Sequence, residues 1–264
     1  MGSIIKNEIV RFDGKSKVCL DDYIAVEEPL EIYINQSKTP VLVTMRTPGQ
    51  DELLVAGLLF SLGLIGPHTD LQFKTSSLNQ IRVLNADLKE NQIQATFQNS
   101  SCGLCNRPSW EDIAAHSIYP VFPKQESFHS QLILSCPSLL KDSSSDFNIT
   151  GGSHKVVLIN RYGETISKAE DVGRHNAFDK VVGQCLLQNQ LPLHTHLVIL
   201  SGRCSYEMCQ KAWLSGIPVI VALGAPTSKA IELAQETGVT LIGFARSNQF
   251  NIYSHPDRIS YEEK

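Results

Sequence analysis

The sequence predicts an α/β protein made of two units, and three observations carry the prediction. From Phe147 onward, short apolar runs alternate with longer stretches of helical character, closed by stops such as Gly216 and Gly238. Before residue 100 a smaller set of extended runs surrounds one helix that is apolar on nearly every face. Between the two, Ser, Asn and Pro loosen the pattern. With 264 residues, 42% hydrophobic and 19% charged, the chain can bury a core without disulfides and lies far from disordered composition. The expected boundaries are a small α/β unit over 1–100, a connection over 101–145 and an α/β/α unit over 146–264.

The elements follow in order. Residues 31–34 and 40–45 read as strands, then the turn Arg46-Thr47-Pro48-Gly49, then a helix N-capped by Asp51 and stopped at Gly63 or Gly66. Runs over 80–84 and 92–97 flank a polar turn at Asp87 and read as a hairpin. In the second unit, strands are expected over 155–160, 165–169, 197–200, 218–223 and 240–244, with helices over 176–187, 206–215 and 228–237. That alternation implies a mostly parallel sheet covered on both faces.

Charge and cysteine usage narrow the function classes. Lys+Arg of 23 against Asp+Glu of 27 gives a net charge of −4, so neither nucleic acid nor an anionic membrane is expected as a bulk partner. No apolar run approaches the roughly 20 residues of a membrane span. Charged Lys6, Glu8 and Arg11 stand where a secretory signal needs apolar residues, so a cytoplasmic location is expected. Seven cysteines, an odd number, fit a reducing compartment, with Cys19, Cys136 and Cys185 read as ordinary core residues.

Ligands of such a sheet collect at the carboxyl ends of its strands, where helix N-termini present unpaired N–H groups. Three junctions have anion-site chemistry: Ser201-Gly202-Arg203, Gly224-Ala225-Pro226-Thr227, and Thr150-Gly151-Gly152-Ser153-His154. Each taken alone is equally a tight turn. The turn 170–180 concentrates Glu170, Asp171, Arg174, His175, Asp179 and Lys180, which favours a functional reading and makes Arg174 a further candidate. Arg203, Glu207 and Lys211, at i, i+4 and i+8, read equally as an exposed salt-bridged stripe. After the last long strand, Phe244, Ala245, Arg246, Ser247, Asn248 and Gln249 bring an aromatic face, a guanidinium and amides to the same edge, which suits a heterocycle joined to phosphates.

Cys102-Gly103-Leu104-Cys105 is the sharpest local signal. Four readings stay open: part of a zinc site that lacks a second ligand pair, a thioredoxin-like dithiol, structural cysteines, and a persulfide-transfer pair with a thiolate favoured by Arg107. No permanently held metal is expected. Neither GxGxxG nor a P-loop is present, and the His-x-Glu and Pro-Cys-x-x-Cys of a zinc deaminase are both missing.

Together these blocks resemble the formate dehydrogenase accessory sulfurtransferase family (FdhD/NarQ). The resemblance rests on Arg46-Thr-Pro-Gly before Asp51-Glu52, the Cys102/Cys105 pair, Thr150 to His154, Glu170 to Ala177 with Asp179-Lys180, Ser201 to Arg203 with Ser205, Glu207 and Lys211, Ala225-Pro-Thr227, and Gly243 to Arg246. It implies a sulfurtransferase that carries persulfide sulfur from a cysteine desulfurase to the molybdenum or tungsten bis(pterin guanine dinucleotide) cofactor, bound as substrate, for a formate dehydrogenase. It also implies that Cys102 bears the persulfide and that residues 244–249 contact the cofactor. Ser201, Gly202, Arg203, Thr227, His154 and Arg174 are the candidates to hold its phosphates. A homodimer and a carboxy-terminal domain of cytidine-deaminase-like type lacking the zinc motif are implied as well. Asn106 departs from the family's Cys-Gly-x-Cys-Gly pattern. The alternatives are a non-catalytic chaperone that escorts the cofactor and a zinc-stabilised scaffold.

Overall fold

The computed structural model of the chain describes residues 2–84, 88, 119–121, 127–141 and 145–261. Cys102, Cys105, the strand expected over 92–97 and most of 101–145 lie outside those residues. The architecture is mixed α/β.

The chain opens with β1 (Ile4–Phe12) and β2 (Lys17–Ala25), an antiparallel ribbon that forms a sheet by itself. The sequence hid it because its apolar residues do not alternate. Next come β3 (Glu28–Ile34), β4 (Leu42–Arg46), helix α1 (Asp51–Ser61), β5 (Gln72–Ser77) and β6 (Gln80–Leu84), whose strands make a sheet of order β4-β3-β6-β5. Here β6 is flanked by β3 and β5, so both its edges are taken and the expected hairpin partner is replaced by β5, a polar run that carries no apolar pattern. Gln50, not Asp51, caps α1. Asp51 is drawn into the first turn because Arg46 grips its carboxylate through Nε and Nη2 at 2.9 and 3.1 Å.

Residues 128–139 do more than connect. They form β7 (Phe128–His129) and α2 (Ser130–Leu139), followed by the short α3 (Asp146–Thr150). The serines and Pro137 disguised α2, yet Phe128, Ile133, Cys136 and Leu140 are buried against the second sheet.

That second sheet contains β8 (His154–Asn160), β9 (Thr165–Asp171), β10 (His196–Leu200), β11 (Val219–Ala222), β12 (Thr240–Gly243) and β13 (Asn251–Ile252), in the order β13-β12-β11-β10-β8-β9. Only β10–β11 and β11–β12 pair in parallel. The expected mostly parallel sheet is therefore a mixed one. The Arg161-Tyr162-Gly163 turn folds β9 back on β8, and β8, β9 and β13 all pair antiparallel. Helices α4 (Arg174–Leu187), α5 (Tyr206–Leu214) and α6 (Ser228–Thr237) bury their apolar sides with Val156, Leu158, Val198, Leu200, Ile220 and Leu241. The opposite set, Val157, Ile159, Leu197, Ile199, Val219 and Val221, packs on α2 and on Ile259 of β14 (Ile259–Ser260), which pairs with β7. The period-two division of the strands between two cores is what makes every central strand apolar throughout.

One hydrophobic cluster runs unbroken from Leu30, Ile32 and Ile81 through α1 and α4 to the six-stranded sheet. Where α1 crosses α4 the two backbones touch. A Cβ on Gly57 would overlap the carbonyl oxygen of Asp179, and one on Gly183 would overlap the carbonyl oxygen of Leu53. Both positions must be glycine for the helices to lie this close.

Candidate functional site

The register of the six-stranded sheet brings distant stretches of sequence to one edge. His154 at the start of β8 pairs with Asp171 at the end of β9, and Leu200 at the end of β10 pairs with Val156 of β8 and Ala222 of β11. The three junctions and the segment after β12 therefore line up side by side, as the sequence implied.

A small cleft opens there between His154, Lys155, Arg174, Ser201, Gly202 and Arg203. Ser201 is fixed from both sides, its N–H donating to the Lys155 carbonyl at 3.0 Å and its Oγ accepting from the Lys155 N–H at 3.0 Å. Its hydroxyl proton stays available to a ligand. Gly202 passes under the His154 ring, where a Cβ would sit 3.3 Å from Nδ1. Gly224 is needed for the neighbouring turn, since a Cβ would lie 2.9 Å from the Arg203 nitrogen. Thr227 is committed to structure because its Oγ1 caps α6 through the Ala230 N–H at 3.3 Å.

The segment after β12 divides by exposure. Phe244 is exposed and has a left-handed backbone, φ 52°, a conformation rarely held by a bulky residue without a reason. Ala245 points into the core, so only its backbone faces the edge. Arg246 donates Nη1 to the Leu223 and Ala245 carbonyls at 2.8 Å each, which pins the loop. Ser247, Asn248 and Gln249 are exposed beside it.

Beneath the edge lies a buried polar network. Lys180 reaches Asp171 at 2.7 Å and the Thr47 carbonyl at 3.1 Å. Asp171 in turn accepts from the N–H groups of Thr47 at 3.2 Å and Gly173 at 2.9 Å. Asn176 bonds the Met45 carbonyl at 2.8 Å, and Lys211 bonds Asp179 at 2.5 Å with Ser61 supporting the same oxygen at 2.8 Å. The 170–180 turn thus splits by role: Asp171, Asn176, Asp179 and Lys180 lock it to the first sheet and α1, and Arg174 and His175 remain at the edge. Lys211 corrects the exposed-stripe reading, since it is buried and ion-paired with Asp179 across to α4. Its signal in the sequence was the flanking Met208 and Ala212 on the buried side of α5, followed by the buried C-cap Ser215.

The edge itself carries two guanidinium groups. Among the described residues the side chains of Arg174, Arg203, His154 and His175 make no hydrogen bond or salt bridge, although the Glu207 carboxylate acts electrostatically on His175 and Arg174. The strongly buried cations Arg46, Lys155, Lys180, Lys211 and Arg258 each have an acidic or carbonyl partner, whereas Arg174 is half-buried and Arg203 exposed. The N-terminus of α4 beside these donors carries no side-chain cap, a setting whose unpaired N–H groups favour negative charge.

Burial, reinforced by Lys211 and Arg174, pushes His175 down to about 4, and burial with Arg174 lowers His154. Glu207 stays ionised below its usual range, held by the Ser205 hydroxyl at 2.8 Å and by His175 and Arg174. The sign is then fixed. Between the ordinary histidine value near 6.5 and about 4, the unfolded chain takes up a proton that folded His175 refuses, so stability falls as pH drops through that window. His175→Gln should flatten this part of the stability curve in denaturant titrations at pH 7, 6 and 5. An unchanged slope would show that His175 does not stay neutral in the fold.

Burial also pushes the thiols of Cys136, Cys185 and Cys209 up to about 12 and raises that of Cys204 well above its ordinary value, which leaves them inert. Cys19 departs from the core reading: it lies exposed on β2. Among the described residues no group of three or more His, Cys, Asp or Glu side chains is placed to hold a metal, and no helix is long and apolar enough to cross a membrane.

Comparison with known proteins agrees along almost the whole chain. A profile of the FdhD/NarQ family matches residues 25–260. The chain is 40% identical to the sulfur carrier protein FdhD of Sulfolobus acidocaldarius over 257 residues, covering 97% of this chain and 98% of that one. It is 40% identical to the protein of the same name from Saccharolobus solfataricus, covering 98% and 100%, and 35% identical to that of Streptomyces coelicolor, covering 97% and 95%. Among solved structures, one assigned as a formate dehydrogenase accessory protein of Desulfotalea psychrophila superposes with a TM-score of 0.77 at 25% identity, covering 98% of this chain and 100% of that one.

Proposed function

The chain belongs to the FdhD/NarQ family, and we propose that it is a sulfur carrier in formate dehydrogenase maturation: a cytoplasmic sulfurtransferase that loads sulfur onto a molybdenum or tungsten bis(pterin guanine dinucleotide) held as substrate. The observation that carries the substrate half is the pair Arg174 and Arg203, two guanidinium groups beside one cleft that make no hydrogen bond or salt bridge among the described residues. Diphosphate oxygens satisfy them bidentately, with Ser201 and the α4 N-terminus as further donors. Phe244 offers an exposed ring for a base or pterin, and residues 246–249 offer polar groups at its side.

The sulfur half belongs to Cys102 and Cys105. The Cys102 thiolate attacks the outer sulfur of a desulfurase persulfide, the donor leaves as a thiolate, and Cys102 holds the persulfide. In a direct route the S–S bond of the persulfide breaks, the outer sulfur becomes a sulfido ligand as the reduced metal of the substrate gives up two electrons, and Cys102 returns as a thiolate. In the other route Cys105 attacks the inner sulfur and expels sulfide, and the resulting Cys102–Cys105 disulfide is reduced by a thiol before the next cycle. The chain works as two copies in this proposal, with a two-domain division and a deaminase-like second domain.

Intact mass tests the reading. Incubation with a cysteine desulfurase and cysteine is expected to add one sulfur that reductant removes. GDP, as a probe for one arm of the substrate, is expected to bind roughly 10- to 100-fold more weakly to the Arg174→Ala/Arg203→Ala variant. No added sulfur overturns the carrier, and unchanged GDP affinity in the double variant overturns the assignment of the cleft.

A further inference from the structure

Two histidines stand at the sheet edge, and their surroundings differ. His154 opens β8, where its partner in the ladder is Asp171 at the end of β9. Its ring lines the small cleft together with Arg174, Ser201, Gly202 and Arg203. Glycine at 202 is what lets the backbone pass beside that ring, since a Cβ there would lie 3.3 Å from Nδ1 and 3.4 Å from Cε1. The ring makes no hydrogen bond or salt bridge among the described residues. His175 lies deeper, in the first turn of α4, where Lys211 and Glu207 of α5 act on it.

The charged groups around His154 come from four elements. Arg174 and His175 belong to α4, Arg203 to the turn between β10 and α5, and Asp171 to β9, its carboxylate already held by Lys180 at 2.7 Å. Lys155, next along β8, is paired with Glu170 at 3.4 Å, and α5 offers the apolar Met208 to the cleft. Burial, then the Arg174 charge, keep His154 below its ordinary value, with Asp171 opposing them. The ring is therefore neutral near pH 7. An esterified diphosphate brings one negative charge on each phosphorus. An opposite charge within ~4–6 Å moves a titrating group by about 1–3 units toward its charged form, which carries His154 across neutrality. His175 does not follow. Burial, Lys211 and Arg174 hold it at about 4 against the opposing Glu207, so the same rise leaves it mostly neutral at pH 7.

We propose that His154 is a proton-coupled phosphate ligand: it takes one proton from solvent as the diphosphate of the substrate enters the cleft, and the charged ring then donates to a phosphate oxygen. This rests on the assignment of the cleft to the diphosphate made above and adds how binding there is controlled. By reciprocity acid tightens the ligand, with affinity rising up to ~10-fold for each pH unit lost over the range in which the proton is taken up. A titratable third cation strengthens the grip of the two guanidinium groups and lets go when its proton leaves, which suits a ligand that must be passed on.

Titration calorimetry of the full-length protein with GDP-mannose tests it, because that nucleotide has an esterified diphosphate and no ionisation of its own near neutrality. Binding heats at pH 7 in PIPES, MOPS and imidazole buffers, plotted against buffer ionisation enthalpy, give the protons taken up per ligand. Wild type is expected to take up roughly half to one proton, His154→Gln almost none, and His175→Gln as much as wild type. From pH 8 to pH 6 the wild-type affinity should rise roughly 10-fold, and that of His154→Gln should stay within ~2-fold. The wild-type series alone decides whether a proton is taken up, so a poorly folding variant does not blunt the test. Wild-type binding with no buffer dependence overturns the proton coupling and leaves the cleft assignment standing. Uptake lost in His175→Gln but kept in His154→Gln overturns the choice of His154. Failure of GDP-mannose to bind wild type overturns the cleft assignment, and the proton coupling with it.

Discussion

Cys102→Ala is expected to abolish formate dehydrogenase activation. A strain whose only copy of this protein carries the substitution should show at least a ~100-fold loss of dehydrogenase activity, because a covalent nucleophile has no substitute among neighbouring groups. The buried thiols cannot stand in, since burial holds Cys136, Cys185, Cys204 and Cys209 protonated. Cys105→Ala separates the two routes. If the outer sulfur passes directly to the metal, that variant still accepts and delivers sulfur; if Cys105 expels it, the variant accumulates the Cys102 persulfide and delivers none. The apo-dehydrogenase should retain its pterin cofactor in every case. Full dehydrogenase activity in both single variants would leave the cofactor-escorting chaperone as the surviving account.

Gly183→Val is expected to be the most damaging single change to the fold. The new side chain has no room beside the Leu53 carbonyl, so α1 and α4 must separate and the core shared by both sheets opens along its length. Ordinary overpacking costs about 1–3 kcal/mol; here the obstacle is backbone that cannot swing aside, so the loss should exceed ~3 kcal/mol, within the class of exceptional mutations. Gly57→Val makes the same test from the other helix, against Asp179. Urea unfolding midpoints measure both. A midpoint near wild type for either would mean that the helices can re-space without penalty.

Much of the second sheet was legible because its elements announce themselves locally. The strand over 155–160 and the helix over 228–237 have clean apolar pattern, caps and stops, and the structure places both within a residue or two of expectation. The hidden elements lack such marks. The polar β5 is held by its neighbour β6, and α2 is disguised by serines and an internal proline. Pairing direction was misjudged for the same reason: periodicity identifies a strand, whereas the tight turn at Tyr162-Gly163 determines its sense.

At the edge, composition identified the right segments without dividing their labour. Arg174 and Asp171 are three residues apart and looked alike as charged turn residues, yet one meets solvent and the other is wholly buried against Lys180 and Thr47. Only the tertiary contact between Arg46-Thr47 and the 170–180 turn distinguishes them. Likewise Thr227 and Ala245 fell within candidate segments, and the structure gives one a capping bond and the other a place in the core.

The bonds from Met45 and Thr47 to Asn176, Asp171 and Lys180 have a practical consequence for dissecting the gene. A fragment starting near residue 146 would keep all six strands of the larger sheet but strip the turn bearing Arg174 of its braces and uncover the α1-facing side of α4. Such a truncation should be expressed together with residues 2–84 as a complementing pair if the edge bearing Arg174 is to be studied apart from Cys102 and Cys105.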